Sequence, residues 1–195
     1  MHRILYDLKM KKLSLFILVV CMTISLQAQK KTEAKKASEK KEFKVDSTKV
    51  STLDKTIKTL YKVISAEKEE DRNWKQFKYL FHPDAKLIPT GMNVDYEYKA
   101  KYLTPGEYIK NSQKWLKMNG FIEKEIHRSV NTFGNIAHVF STYESYYSKD
   151  DVKPFMRGIN SIQLFYDDDR WWIINLFWAQ ETEEQAIPKS YLPRN

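Results

Sequence analysis

The sequence is poor in cysteine, in glycine and in long apolar segments. It has one cysteine, Cys21, and five glycines among 195 residues. One cysteine cannot form an intrachain disulfide, so the fold has to be stabilised by its packed core. The few glycines form no phosphate-binding loop, and the sequence also lacks a nucleophile elbow and a metal-ligand signature. We therefore expect no cofactor and no bound metal.

The N-terminal 28 residues have the pattern of an export signal. Lys11 and Lys12 give a basic start, an apolar run follows over residues 13–26, and Ala28 is the small residue that precedes a cleavage site. The apolar run is shorter than the about 20 residues that a membrane-spanning helix needs. We predict a signal peptide over residues 1–28 and an exported protein, periplasmic or secreted, with no stable membrane insertion after cleavage.

A lipoprotein signal is the alternative interpretation of the same segment, with acylation at Cys21. Val20 precedes this cysteine where such signals usually have Gly, Ala or Ser, and acylation there would shorten the apolar run. Met10 is a more conventional start for the segment than Met1. The pattern favours a cleaved signal peptide, which would leave the mature chain without cysteine.

The net charge of +8 is concentrated near the N-terminus. Residues 29–50 carry eight lysines against four acidic residues, in a low-complexity segment of Lys, Glu, Ala and Ser. Such a segment cannot bury enough apolar area to offset its ordering entropy, so we predict a disordered linker. Residues 51–195 have a net charge of only +1. They offer no basic surface for phosphates, so we expect no nucleic-acid partner.

Residues 51–195 begin with a mainly helical pattern. Ser51 and Asp54 form a capping box ahead of apolar residues at helical spacing, and Thr104 and Glu107 form another. His82-Pro83 interrupts the pattern, because the residue before proline disfavours helical backbone. The elements predicted from these signals are a helix from Ser51, a helix over about residues 71–81, a short strand at residues 85–89 and a helix over residues 104–119.

Four long strands are predicted to follow the helices, over about residues 121–132, 136–147, 156–166 and 171–180. The turn sequences at residues 133–135 and 167–169 indicate two antiparallel hairpins. The sequence therefore predicts an α+β fold, in which three N-terminal helices pack on one face of a strongly curved antiparallel sheet of four long strands plus a short one.

This order of elements resembles the nuclear transport factor 2-like superfamily, in its SnoaL-like and polyketide-cyclase-like branches. The segments that carry the resemblance are "TLYKVISAEKEEDRNWKQFKYLFHPDAKLIP", "EIHRSVNTFGNIAHVFSTYES" and "RGINSIQLFYDDDRWWIINLFW". The resemblance covers about residues 51–182 and implies a cone-shaped domain with a cavity at its wide end. It does not imply one activity, because the fold hosts isomerases, dehydratases, cyclases, transport adaptors and association domains.

The last strand is the first candidate for the cavity wall. Alternation places Trp172, Leu176 and Trp178 on one face. A three-residue turn at residues 167–169 would set Asn160 beside them. The resemblance implies that this face lines the cavity. A mostly apolar wall with one amide fits a small-ligand pocket and equally fits a filled core.

The first hairpin contributes a polar set to the same candidate cavity. With Gly134-Asn135 as the turn, Arg128 pairs with Ser141 and Ile126 pairs with Tyr143 on one face, whereas Glu125 falls on the opposite face. A buried arginine needs partners, because an isolated charge in an apolar interior is unfavourable. Arg128, Ser141 and Tyr143 could accept an anionic or carbonyl-bearing ligand. Alternatively, Arg128 is a structural group paired with Glu125 or Glu144.

The outer face of the predicted sheet offers a surface for a second copy of the chain. His127 and His138 lie there without a metal-ligand spacing, so a hydrated or dimer-facing surface is the simpler interpretation. Trp171 and Phe177 would suit a partly apolar interface. We therefore expect a homodimer.

No catalytic acid or base is evident in the predicted cavity. SnoaL-like relatives often have a histidine where this chain has Phe177, and Asp71, Tyr61 and Tyr143 are only possible helpers. The leading hypothesis is non-catalytic binding of a small, largely apolar molecule. The alternatives are a cyclase, isomerase or dehydratase acting on a small carbonyl compound, and a homodimeric association module.

Overall fold

Three helices and six strands make up the part of the chain described by the computed structural model, residues 42–194. The predicted signal peptide, with Cys21, lies outside the described residues. The helices are α1 (Leu53–Ile64), α2 (Trp74–Leu80) and α3 (Pro105–Asn119), and the strands are β1 (Phe81–Met92), β2 (Tyr98–Ala100), β3 (Ile122–Phe133), β4 (Ile136–Tyr146), β5 (Met156–Asp167) and β6 (Arg170–Gln180). Short 3-10 helices lie at Ser47–Val50 and Lys189–Tyr191.

The predicted α+β class, with three helices packed on a curved sheet, is confirmed. The sheet is mixed, however: its order is β2-β1-β6-β5-β4-β3, and β1 runs parallel to β6. The strand predicted at residues 85–89 is part of the twelve-residue β1. Pairing of β1 with β6 is irregular between Phe81 and Lys86, a stretch that contains Pro83. Proline has no N–H to donate to a strand ladder, which accounts for the interruption.

Side-chain caps fix where α1 and α3 begin. Thr52 accepts a hydrogen bond from the Lys55 backbone at 3.2 Å, so the predicted cap Ser51 is wrong by one residue. Ser51 instead donates to the backbone oxygen of Thr48 at 3.0 Å. The capping box predicted at Thr104 is confirmed, with both of its reciprocal hydrogen bonds present.

The last residues of the predicted linker belong to the folded domain. Val50 is 1% exposed and lies in the core cluster. The Asp46 backbone N–H donates to the Gln76 side chain at 2.7 Å, and the Gln76 amide donates back to the Asp46 backbone oxygen at 3.3 Å. The linker predicted over residues 29–50 is therefore wrong for its final residues, because burial of Val50 and these hydrogen bonds order the segment.

The turn between β5 and β6 contains two residues, not the predicted three. Asp167 pairs with Arg170, and Asp168 and Asp169 have φ values of 53° and 57°. Positive φ at both central positions is the backbone of a type I′ turn, whose twist matches that of the strands it joins. Aspartate tolerates this left-handed conformation better than most residues.

One register shift in β6 changes which of its side chains face the helices. Ile174 is passed over in the pairing with β5, so Trp172 lies opposite Phe165 whereas Trp178 lies opposite Asn160. Such a bulge exchanges the two faces of a strand. The prediction that Trp172 shares a face with Leu176 and Trp178 is therefore wrong.

The same shift separates the two residues predicted to form an outer apolar patch. Trp171 packs against the core cluster. Phe177, beyond the bulge, is 42% exposed. The predicted interface pair is therefore divided between the two sides of the sheet.

A second register shift, in β3, brings an acidic residue to the concave face. Arg128 pairs with Ser141 as predicted, but Ile126 is passed over and Glu125 pairs with Tyr143. The predicted pairing of Ile126 with Tyr143 is wrong, and so is the outward position predicted for Glu125. On the concave face, Glu125 accepts a hydrogen bond from Ser141 at 2.5 Å.

Candidate ligand cavity

A cavity of about 220 Å³ lies between the helices and the concave face of the sheet. Most of its lining is aliphatic or aromatic, and it includes Leu60, Phe77, Trp115, Leu176 and Trp178. The polar side chains in the lining are Tyr61 from α1, Tyr108 and Ser112 from α3, Glu123 from β3, Tyr143 from β4 and Asn160 from β5. The cavity therefore combines an apolar wall with a small set of convergent polar groups, as ligand pockets commonly do.

Glu123 is the carboxylic acid of the cavity. Its backbone is fixed by Ser65, the residue after α1, whose hydroxyl oxygen accepts from the Glu123 N–H at 2.8 Å. Its side chain accepts a hydrogen bond from the Asn160 amide at 3.1 Å. Burial raises the pKa of Glu123 to about 7, and the hydrogen bond from Asn160 acts in the opposite direction. The group therefore changes protonation near neutral pH.

A chain of hydrogen bonds leads from Glu123 towards the protein surface. Asn160 also donates to the Tyr61 hydroxyl at 3.1 Å, and this hydroxyl lies 2.6 Å from the Ser141 hydroxyl. Ser141 donates its only proton to Glu125. Tyr61 must then donate to Ser141 and accept from Asn160, so every proton in the chain has a defined direction.

Arg128 closes the outer end of this chain. Its Nε donates to Glu125 at 2.7 Å, and its guanidinium also pairs with Asp54 at 3.2 Å. The carboxylate of Glu125 is the main cause that raises the pKa of Arg128. Arg128 therefore forms a structural ion pair with Glu125, which is one of the alternatives stated from the sequence. It does not line the cavity.

The tyrosines of the cavity are neutral groups. Burial, and then the charge of Glu123, raise the pKa values of Tyr61, Tyr108 and Tyr143 above the ordinary value. Tyr143 also packs against the backbone of β5 at Gly158, where an added Cβ would lie 2.5 Å from the tyrosine oxygen. The three hydroxyls therefore act as hydrogen-bonding groups and not as anions.

The structure brings together four of the seven predicted site residues. Asn160, Tyr143, Leu176 and Trp178 all line the cavity. Ser141 lies behind the lining, completely buried and bonded to Tyr61. The remaining two are Arg128, in its ion pair, and Trp172, whose ring is stacked 3.3 Å from the guanidinium carbon of Arg170.

Three further polar residues of the cavity, Glu123, Tyr108 and Ser112, were not predicted. Counting strand alternation back from the Gly134-Asn135 turn places Glu123 on the outer face, and the bulge at Ile126 reverses that assignment. Tyr108 follows the cap of α3 by four residues, and only the packing of α3 shows that it faces the cavity. Asp71, considered as a helper, pairs with Lys117 at 2.7 Å and does not line the cavity.

Residues 42–194 contain neither a metal-ligand cluster nor a helix suited to span a membrane. No group of three or more His, Cys, Asp or Glu side chains within this range could hold a metal ion. His138, considered as a ligand, is hydrogen-bonded to the Ser161 hydroxyl at 2.9 Å. None of the helices in this range is long and apolar enough to span a membrane.

The sequence matches no protein-family model and no curated protein. Solved structures share its fold, among them three with TM-scores of 0.50 to 0.52. A nuclear transport factor 2-like protein of unknown function from Pseudomonas putida is 12% identical, with a TM-score of 0.52 over 75% of this chain and 98% of that one. A "Putative Scytalone Dehydratase" from Novosphingobium aromaticivorans is 10% identical, with a TM-score of 0.51 over 67% and 82%.

The third structure is a protein of unknown function with a cystatin-like fold from Nostoc punctiforme. It is 10% identical, with a TM-score of 0.50 over 67% of this chain and 90% of that one. At these identities the likeness concerns the fold and not the activity. This likeness agrees with the three helices packed on a curved, mixed six-stranded sheet around a cavity. The chain therefore has the nuclear transport factor 2-like fold.

Proposed function

We propose that this domain binds a small, largely apolar molecule in its cavity, with one polar group of the ligand held at Glu123 and Asn160. The convergence of these two side chains on an otherwise apolar lining is the observation that carries the proposal. The volume of about 220 Å³ is below the about 300–1,000 Å³ typical of sites for drug-sized ligands. The ligand is accordingly small.

The polar end of the cavity is preorganised for this role. Asn160 is held by hydrogen bonds to Glu123 and Tyr61, and Tyr61 is held in turn by Ser141. A ligand therefore meets groups whose rotamers are already fixed, and binding does not have to pay their ordering entropy. The aromatic and aliphatic walls supply apolar area for the rest of the molecule.

Native mass spectrometry of the gently purified full-length chain tests the proposal. A retained small molecule, released on denaturation, is the expected result. Leu176→Phe, which adds volume within the lining, should reduce retention, whereas Trp172→Phe, outside the lining, should leave it unchanged. Circular dichroism would verify that both variants fold. Absence of a retained molecule, together with no binding of small aromatic alcohols, amines or acids, would refute the proposal.

Acid–base catalysis on a small carbonyl compound is a second candidate function. A pKa of Glu123 of about 7 favours it, because a general base is most effective when its pKa is near the working pH. Glu123 would remove a proton from the carbon next to the carbonyl group and return a proton to the same carbon. Nuclear magnetic resonance would follow the exchange of those protons in heavy water. Exchange by the wild-type chain but not by Glu123→Gln would support catalysis. Absence of exchange in the wild-type chain would leave ligand binding as the only proposed function.

A further inference from the structure

The cavity contains one acidic side chain and no basic one. Its lining, drawn from the described residues, includes Glu123 but no lysine, arginine or histidine. No ion pair to Glu123 is present among residues 42–194, and its one side-chain hydrogen bond comes from the neutral amide of Asn160. The nearby Glu125 differs in this respect, because Arg128 neutralises it. Among the described residues, therefore, no side chain supplies a cation to pair with the Glu123 carboxylate, and a cationic ligand could supply one.

We propose that the ligand of this cavity is a small organic amine, bound as its ammonium ion against the carboxylate of Glu123. This inference rests on the proposed binding function and adds the chemical class of the ligand. A charge removed from water is unfavourable unless it is paired and hydrogen-bonded. An ammonium ion supplies the missing charge, while the hydrogen bond from Asn160 to Glu123 stays in place. An anionic ligand would instead add a second negative charge beside the first.

The aromatic lining of the cavity offers a cation a second favourable interaction, with the faces of its rings. Tyr61, Tyr108 and Tyr143 all lie close enough to Glu123 for its charge to raise their pKa values. Trp115 and Trp178 line the same cavity. Aromatic faces attract cations, and the attraction is larger in desolvated sites than at exposed ones. The apolar part of the amine would occupy the rest of the lining.

Glu123 is the group in the cavity that changes charge between pH 5.5 and 8. The ionisable residues facing it are Tyr61 from α1, Tyr108 from α3 and Tyr143 from β4, and their raised pKa values keep them neutral over this range. α2, β5 and β6 present Phe77, Asn160 and Trp178, which do not ionise. Glu125, on the same strand, is paired with Arg128. The pH dependence of amine binding therefore reports on Glu123.

The test is calorimetric titration of the full-length chain with benzylamine, benzyl alcohol and benzoate, which share one ring and differ in charge. A carboxyl with a pKa of about 7 is about 3% ionised at pH 5.5 and about 90% at pH 8. Benzylamine, which stays protonated at both pH values, should therefore bind roughly 30-fold more tightly at pH 8. Glu123→Gln should lose this pH dependence, and Trp172→Phe should retain it. Larger primary amines and their matched alcohols extend the series.

The outcomes separate the amine inference from the proposed function. Preference for amines, rising with pH, supports both. Preference for alcohols, with affinity rising as the pH falls, would show that protonated Glu123 donates to a neutral ligand. That result, or a neutral or anionic molecule retained in native mass spectrometry, overturns the amine inference and leaves the binding function standing. No binding by any member of the series and no retained molecule would overturn both.

Discussion

Replacement of Glu123 by glutamine should stabilise the domain above neutral pH. Burial raises the pKa of Glu123 from its usual 4.5 to about 7 in the folded chain. The folded state then binds more protons than the unfolded state between these two values, so stability falls as the pH rises through this window. Between pH 5 and pH 8, the free energy of unfolding of the wild-type chain should therefore fall by about 2–3 kcal/mol. Glutamine has no proton to lose and still accepts a hydrogen bond from Asn160.

Urea unfolding of both chains at pH 5, 6, 7 and 8, without added ligand, measures this difference. The free energies of unfolding of the wild type and Glu123→Gln should diverge with rising pH, and the variant should be the more stable at pH 8. Glu184→Gln, at an exposed position, is the matched control and should follow the wild type. Parallel pH profiles for the wild type and Glu123→Gln would refute the argument that burial raises this pKa.

Three further predictions concern packing, the half-buried ion pair of Arg128 with Glu125, and assembly. Gly158→Ala should destabilise the domain by about 1–3 kcal/mol in urea unfolding, because its Cβ would lie 2.4 Å from a backbone oxygen of β6 and 2.5 Å from Tyr143. Gly91→Ala, with no atom within 4 Å of its Cβ, should be nearly neutral, and equal losses in the two variants would contradict the packing argument. Arg128→Leu should lower the free energy of unfolding by about 1–3 kcal/mol, because Glu125 would lose its charge partner. An unchanged melting temperature would show that the pair does not stabilise the fold. The expected homodimer is checked by sedimentation velocity, in which a monomer at all concentrations would contradict it.

Local chemistry made the order of elements readable from the sequence. The capping box at Thr104 and the glycine after Asn119 set the ends of α3, and no tertiary contact is needed to recognise them. Gly120 has a φ of 76°, and its added Cβ would lie 2.3 Å from the backbone oxygen of Tyr147, so the glycine is required twice over. The Gly134-Asn135 turn set the register of the β3–β4 hairpin near its tip in the same way.

The residues that line the cavity could not all be predicted, because they depend on two strand bulges that have no recognisable sequence pattern. Ile126 and Ile174 are ordinary strand residues, yet each is passed over in pairing and each reverses the faces beyond it. As a result, the sequence placed Trp172 in the cavity and Glu125 on the outer face, and both assignments were wrong. Export, the lipid alternative at Cys21 and the homodimer stay predictions, because the described residues do not test them.

The position of β6 in the sheet has a consequence for how the chain reaches its fold. β6 is the last strand in sequence, but it lies between β1 and β5 and is the only strand that joins the β1–β2 edge to the β3–β5 meander within the described sheet. Its pairing with β1 links Ile88 to Phe177 across most of the domain. Contacts of such sequence separation form slowly, because the intervening chain has to be ordered first. A chain interrupted before Arg170 therefore lacks the strand whose pairing joins the two halves of the described sheet.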